Sequence, residues 1–154
     1  MKVQDNFLDE FEFNNLRESI LSDGFPWFSS TVLSGYDKYQ LVHSFYEGTY
    51  GDHFSLVTPL LRKMKVAKVD RIKANSQEKT DTIIEHPFHV DGPVVCETSI
   101  FYLNTCDGYT KFENGAIVNS VANRLVTFPS QTKHCGTTCT NDSRRLVINF
   151  NYFI

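Results

Sequence analysis

The chain has 154 residues, a length that suits one domain and allows a core that needs no disulfide or metal staples. Hydrophobic residues make up 41% and charged residues 21%, the balance of an ordinary soluble globular protein. A formal net charge of −3 leaves no basic footprint for nucleic acid, and no run reaches the roughly 18 apolar residues of a membrane span.

Met1-Lys2-Val3-Gln4-Asp5 opens without an apolar run, which predicts no secretory signal and a cytoplasmic protein. In that setting Cys96, Cys106, Cys135 and Cys139 are expected as reduced thiols, and the CxxxC pair Cys135/Cys139 has no second pair to complete a zinc site. The first third reads as helical. Asp9, followed three residues later by Glu12, resembles a capping box. Phe13, Leu16, Ile20 and Leu21 then recur at helical spacing, and Gly24 can end the helix. A second helix is predicted over 55–65, with Pro59 near its start, where a missing N–H costs little. Residues 26–54 between them are rich in aromatics and are read as packing rather than as a substrate lid.

The character changes near Lys68. Short runs of β-branched and aromatic residues follow, predicted as strands over 69–73, 82–86, 88–91, 98–103, 109–112, 116–120, 124–128, 134–138 and 145–153. Gly92-Pro93, Asp107-Gly108, Asn114-Gly115 and Pro129-Ser130 separate them, and Asn114-Gly115 is a hairpin signal. So many short strands point to a sandwich, jelly roll or barrel.

The strongest local feature is Phe88-His89-Val90-Asp91. Residues two apart on a strand share a face, so an imidazole and a carboxylate can converge on one point. His134 lies 45 residues further on. If it returns to the same mouth, the three form a 2-His-1-carboxylate facial triad, which leaves coordination positions open for an organic co-substrate and dioxygen at iron(II). His86 is a rival ligand, but three residues from His89 it should point the other way, and it is read as surface or structural.

Arg145 follows His134 by 11 residues and opens the last strand. A co-substrate with a distal carboxylate needs a fixed, always-charged, bidentate partner, which arginine supplies better than lysine. Arg144 is the alternative. It shares a face with Leu146, Ile148, Phe150 and Tyr152, a stripe suited to packing on the helices. Arg145 shares its face with Val147, Asn149 and Asn151, suited to a lined cavity.

These motifs, in this order, resemble the prolyl-4-hydroxylase-like branch of the iron(II)/2-oxoglutarate dioxygenases. The resemblance rests on His89-Val90-Asp91, Tyr102-Leu103-Asn104, Gly108-Tyr109-Thr110-Lys111-Phe112, Phe128-Pro129-Ser130, His134-Cys135-Gly136 and Arg145, and covers residues 69–153. Asp5-Asn6-Phe7-Leu8 before a helix is similar to short members from bacteriophages, which would place the protein in the host cytoplasm. The resemblance implies a mainly β fold with N-terminal helices: a double-stranded β-helix, or jelly roll, with the helices packed on its major sheet. It also implies one domain over 1–154, with a helical part to about 66 and the β core over 67–154.

The resemblance further implies that His89, Asp91 and His134 hold iron(II) and that Arg145 pairs with 2-oxoglutarate. Tyr102 would donate its hydroxyl to the same carboxylate, and Thr98, on the same face, would line the pocket. Asn75 is a further candidate near the co-substrate. The implied reaction uses dioxygen to hydroxylate a C–H bond of a small-molecule or peptidyl substrate, prolyl or otherwise, with release of succinate and carbon dioxide. The alternatives are a non-catalytic jelly-roll binding or structural module, which needs no His/Asp/His/Arg set, and a cupin-like metalloenzyme that does not use 2-oxoglutarate.

Overall fold

Alternation of apolar and polar residues recurs along several of the strand-forming segments. In the computed structural model, which describes residues 1–154, it produces two antiparallel sheets. The elements in order are β1 (Lys2–Gln4), α1 (Glu10–Leu21), β2 (Phe28–Thr31), β3 (Tyr39–Glu47), α2 (Thr58–Met64), β4 (Lys68–Glu78), β5 (Glu97–Tyr102), β6 (Tyr109–Phe112), β7 (Ile117–Asn119), β8 (Arg124–Pro129), β9 (His134–Gly136) and β10 (Arg144–Phe153). The major sheet has seven strands in the order β1-β8-β5-β10-β4-β3-β2, and the minor sheet has three in the order β7-β6-β9.

The major sheet buries a different layer on each face. On one face Phe13, Leu16 and Ile20 of α1 and Leu60 of α2 pack on Ile72, Ala74, Phe101, Leu146, Ile148 and Phe150, within a cluster of 18 buried residues. Each of the leucine, isoleucine and phenylalanine side chains contributes about 1.5–3 kcal/mol by leaving water. On the other face Ile100, Tyr102, Val126, Phe128 and Val147 meet Phe112 and Val118 of the minor sheet in a smaller cluster of seven. The architecture is the double-stranded β-helix with helices on the major sheet.

The Asp9 carboxylate accepts from Glu12 N at 2.8 Å and caps α1, as its sequence predicts. The helix ends at Leu21 with Ser22 as its cap, whose hydroxyl donates to Ser19 O at 2.7 Å; Gly24 lies beyond it. The second helix forms as a 3₁₀ turn over Phe54–Val57 that runs into α2.

The helical reading of residues 1–66 is corrected by three strands in that part. β3 pairs along β4, β2 pairs with β3 to make one edge, and β1 pairs with β8 to make the other. Of the aromatics in 26–54, Phe28, Tyr39, Phe45 and Tyr46 are strand residues: Phe45 is fully buried in the helix-side core, and Tyr46, with Trp27 and Phe54 from outside the strands, packs against that core. Tertiary pairing overrides a weak local helical pattern here, as β-rich aromatic segments allow.

Two predicted strands, 82–86 and 88–91, reduce to isolated bridges, Glu85 with Thr137 and His89 with His134. Pro87 between them supplies no N–H to a ladder. The strand predicted over 69–73 extends to Glu78, because Asn75 and Gln77 face an internal cavity that the local sequence does not reveal.

Candidate active site

A cavity of about 160 Å³ opens between the sheets. At one end His89, Asp91 and His134 converge. Their ligand atoms all lie within 4.8 Å of one another: His89 Nε2 is 3.8 Å and His134 Nε2 is 3.7 Å from Asp91 Oδ1. The backbone explains the convergence. His89 N donates to His134 O at 2.9 Å and His134 N donates to His89 O at 3.0 Å, a reciprocal pair that sets the two imidazoles side by side with centroids 4.9 Å apart.

Both rings are oriented from behind. The Nδ1 of His89 is 3.1 Å from Pro87 O, and that of His134 is 3.0 Å from Thr132 O. Bonded as donors, the Nδ1 atoms leave each Nε2 free to act as a ligand. Burial lowers the His134 pKa, which favours the neutral, ligating form. Phe128 packs edge-on against its ring, and Phe112 in turn packs edge-on against Phe128. In Phe128-Pro129-Ser130, the Ser130 hydroxyl accepts from Cys96 N at 3.0 Å and donates to Val94 O at 2.8 Å, tying down the loop that follows Asp91.

Asp91 has its own support. Asn151 Nδ2 donates to Asp91 Oδ2 at 3.2 Å and to Thr98 Oγ1 at 2.8 Å, and Arg71 donates to Asn151 Oδ1 at 3.2 Å. Thr98 is fully buried below Asn151 and does not line the cavity, so it acts on the carboxylate through Asn151. Arg71 NH2 lies 3.7 Å from Asp91 Oδ1.

Arg145 lies in the same cavity and is only 3% exposed. Its Nε donates to Ser120 Oγ at 2.8 Å and its NH2 to Thr110 Oγ1 at 3.0 Å, and no carboxylate pairs with it. Burial without a counter-charge lowers its pKa. The motif residues build its cradle. A Cβ on Gly108 would lie 2.6 Å from Arg145 Cδ and 2.7 Å from Thr138 O, so only glycine lets the arginine pass. Asn104 accepts from Leu146 N at 2.9 Å and donates to Arg144 O at 2.7 Å, which fixes the start of β10. Arg144 sits on the opposite face, outside the cavity lining.

Tyr102 is fully buried, and its hydroxyl donates to Thr110 Oγ1 at 2.8 Å. It does not line the cavity, so in place of the expected direct contact it stands behind Thr110, which does. His86 also differs from expectation: Pro87 breaks strand parity, and the buried imidazole turns into the cavity wall. Its Nε2 is 3.0 Å from Gln77 Oε1, and Gln77 in turn donates to Gln40 at 2.9 Å. Burial, and then the positive charge of Arg145, hold its pKa down at about 4.

Ser120, Arg71 and Lys73 carry no motif in the sequence, and Asn151 is placed there only on the face of Arg145, though a signal for three of the four is present. Arg71, Lys73, Asn75 and Gln77 alternate with Ile72 and Ala74, and Asn151 lies at even spacing from Arg145.

The residues fit a metal with an anionic co-substrate. Two imidazoles and a carboxylate suit an iron(II) site with open positions. A buried guanidinium held only by hydroxyls is a costly arrangement that a bound carboxylate would relieve. The amide oxygens of Asn75 and Asn149 on the cavity wall are buried and lack partners, a further sign that a polar ligand completes the site.

No protein-family model and no curated protein matches the chain. Solved structures do, at low identity. A viral collagen prolyl hydroxylase from Paramecium bursaria Chlorella virus-1, in complex with 2-oxoglutarate, is 13% identical, with a TM-score of 0.67 over 99% of this chain and 95% of that one. A Pseudomonas putida prolyl-4-hydroxylase is 15% identical, with a TM-score of 0.66 over 98% of this chain and 91% of that one. A non-haem α-ketoglutarate-dependent carbocyclase from nogalamycin biosynthesis is 16% identical, with a TM-score of 0.70 over 97% of this chain and 78% of that one. These likenesses establish the shared fold. No helix is long and apolar enough to cross a membrane.

Proposed function

We propose that this chain is a non-haem iron(II)- and 2-oxoglutarate-dependent oxygenase that hydroxylates a C–H bond of a prolyl, other peptidyl or amino-acid substrate. One observation carries the reading: a two-histidine, one-carboxylate cluster and a buried arginine without a carboxylate partner occupy one cavity. A binding module has no use for either, and a metalloenzyme without 2-oxoglutarate has no use for Arg145. The known activities of prolyl hydroxylases with this fold support the same reaction class. Residues 1–154 act in this reading as one catalytic domain.

His89, Asp91 and His134 would hold iron(II), and Arg145 would pair with the distal carboxylate of 2-oxoglutarate. When bound, iron(II) and 2-oxoglutarate supply the oxidising chemistry, in which dioxygen is consumed and succinate and carbon dioxide are released. Asn151 takes up Asp91 Oδ2 and leaves Oδ1 directed at the histidines. Thr110 and Ser120 fix the guanidinium plane before any ligand arrives, which reduces the ordering cost of binding. Tyr102 locks the Thr110 hydroxyl in turn. His86, Gln77 and Gln40 form a hydrogen-bonded wall at the Arg145 end of the cavity and limit access of water there.

Anaerobic addition of iron(II) and 2-oxoglutarate tests the reading. The parent should develop a metal-to-ligand charge-transfer absorption and, in air, form succinate slowly even without substrate. Both signals should vanish in Asp91→Ala. Equal succinate from the parent and from Asp91→Ala would rule out this iron site.

A further inference from the structure

Lys73 lines the cavity, yet it belongs to neither the histidine–aspartate cluster nor the Arg145 cradle. It lies on the cavity face of β4, two residues from Arg71 and opposite Asn149 of β10. It forms no salt bridge. Glu47 and Asp91 are the acidic groups that influence it, and both stand beyond ion-pair distance. Burial and the neighbouring Arg71 push its pKa down, which marks an uncompensated positive region. The partnerless amide oxygens of Asn75 and Asn149 flank it, one two residues along the strand and one across it.

Charge balance shows what is missing. In the loading proposed above, the two charges of iron(II) and that of Arg145 are matched by Asp91 and the two carboxylates of 2-oxoglutarate. Arg71 and Lys73 remain in excess. Arg71 is held by a hydrogen bond to Asn151, whereas Lys73 has no side-chain partner, so Lys73 is the free cation. A half-buried ammonium beside unfilled amide acceptors suits a ligand that carries a carboxylate next to an N–H group.

We propose that the prime substrate is a small amino-acid-type carboxylate and that Lys73 binds its carboxylate. The inference rests on the oxygenase reading and names its substrate class. The carboxylate can belong to a free amino acid or to the C-terminus of a short peptide. A capped internal prolyl peptide has no such group.

The test is anaerobic titration calorimetry on the protein saturated with iron(II) and 2-oxoglutarate. The probes are the twenty free L-amino acids, their α-carboxamides, a prolyl tripeptide with a free C-terminus, and the same peptide acetylated and amidated. At least one free carboxylate should bind, and neutralising it as the carboxamide should weaken binding about tenfold or more, as loss of a charged pair does. Lys73→Met should lose the same factor, Lys73→Arg should retain most of the affinity, and 2-oxoglutarate should bind all three proteins alike. The ratio of free amino acid to tripeptide binding separates the two sources.

Binding of the capped peptide alone would overturn the proposal, as would binding unchanged in Lys73→Met or the absence of any binding. A 2-oxoglutarate affinity that falls in Lys73→Met would instead assign the lysine to the co-substrate. Failure of the parent to bind iron(II) and 2-oxoglutarate would refute the oxygenase reading itself, a result seen before any probe is added.

Discussion

The two faces of β4 and β10 use the same backbone for opposite purposes. Toward the helices the strands present Ile72, Ala74, Leu146, Ile148 and Phe150, all within 2% exposure and all apolar. Toward the cavity they present Arg71, Lys73, Asn75, Gln77, Arg145 and Asn149, with Val147 the one apolar group, a largely polar set with two orphaned amide oxygens and an arginine lacking a carboxylate. Alternation along a strand makes this possible without any change of backbone. The helix face supplies the stability that lets the cavity face hold polar groups at a cost.

Removing a metal ligand should have the largest effect. His134→Ala should abolish stoichiometric iron(II) binding, measured by anaerobic titration, while the circular dichroism spectrum persists. The helix-side core does not depend on this ring. Iron binding as tight as in the parent would remove His134 from the site.

The Arg145/Arg144 pair separates the two faces most directly. Arg145→Ala should weaken 2-oxoglutarate by several kcal/mol at most, the scale for truncating one side of a buried charged pair. Arg144→Ala should change it little. Arg145→Met should also raise the thermal midpoint of the ligand-free protein, because it removes an uncompensated buried charge. The opposite ranking in binding would mean that the parity of β10 does not govern the site.

The converse substitution belongs to the helix face. Ile148→Ala should cost about 2–5 kcal/mol of stability in denaturant titrations through the cavity it leaves. Affinity for 2-oxoglutarate in the folded fraction should stay near the parent value. A matching loss of affinity would show that the two faces are mechanically coupled.

The smallest effect concerns pH. The His86 pKa in the folded protein, about 4, is below the ordinary value of 6.5. Well above pH 6.5 the ring is neutral in both folded and unfolded chains and adds no pH dependence. As pH falls from there towards 4, only the unfolded chain takes up the proton, and stability drops by at most about 3 kcal/mol. His86→Gln should flatten that part of the stability profile relative to the parent. An identical slope in both proteins would show that His86 is not the group responsible.

Much of the site was legible because its signals are local. His89-Val90-Asp91 carries its spacing in three residues, and the parity that separates Arg145 from Arg144 follows from five alternating positions on one strand. The Gly108-x-Thr110 motif could be seen, but its purpose could not. The need for glycine there comes from Arg145 Cδ and Thr138 O, both far away in sequence. The roles expected for Tyr102 and Thr98 placed them on the correct face but one layer too close to the cavity. Parity fixes direction, whereas depth depends on Thr110 and Asn151, which arrive from other strands.

The sequence by itself determined the β-rich core, the capped first helix, and the face of β10 on which Arg144 and Arg145 each lie. These depend on spacing along one segment, which a single strand or helix enforces. Only the tertiary structure decided that Phe28–Thr31 and Tyr39–Glu47 join the major sheet and that His86 turns inward beyond Pro87. It also decided that His89 pairs backbone-to-backbone with His134 and that Lys73 stands unpaired in the cavity wall. Each of those depends on a partner distant in sequence, and whether a polar group is satisfied or stranded is set by what the fold brings beside it.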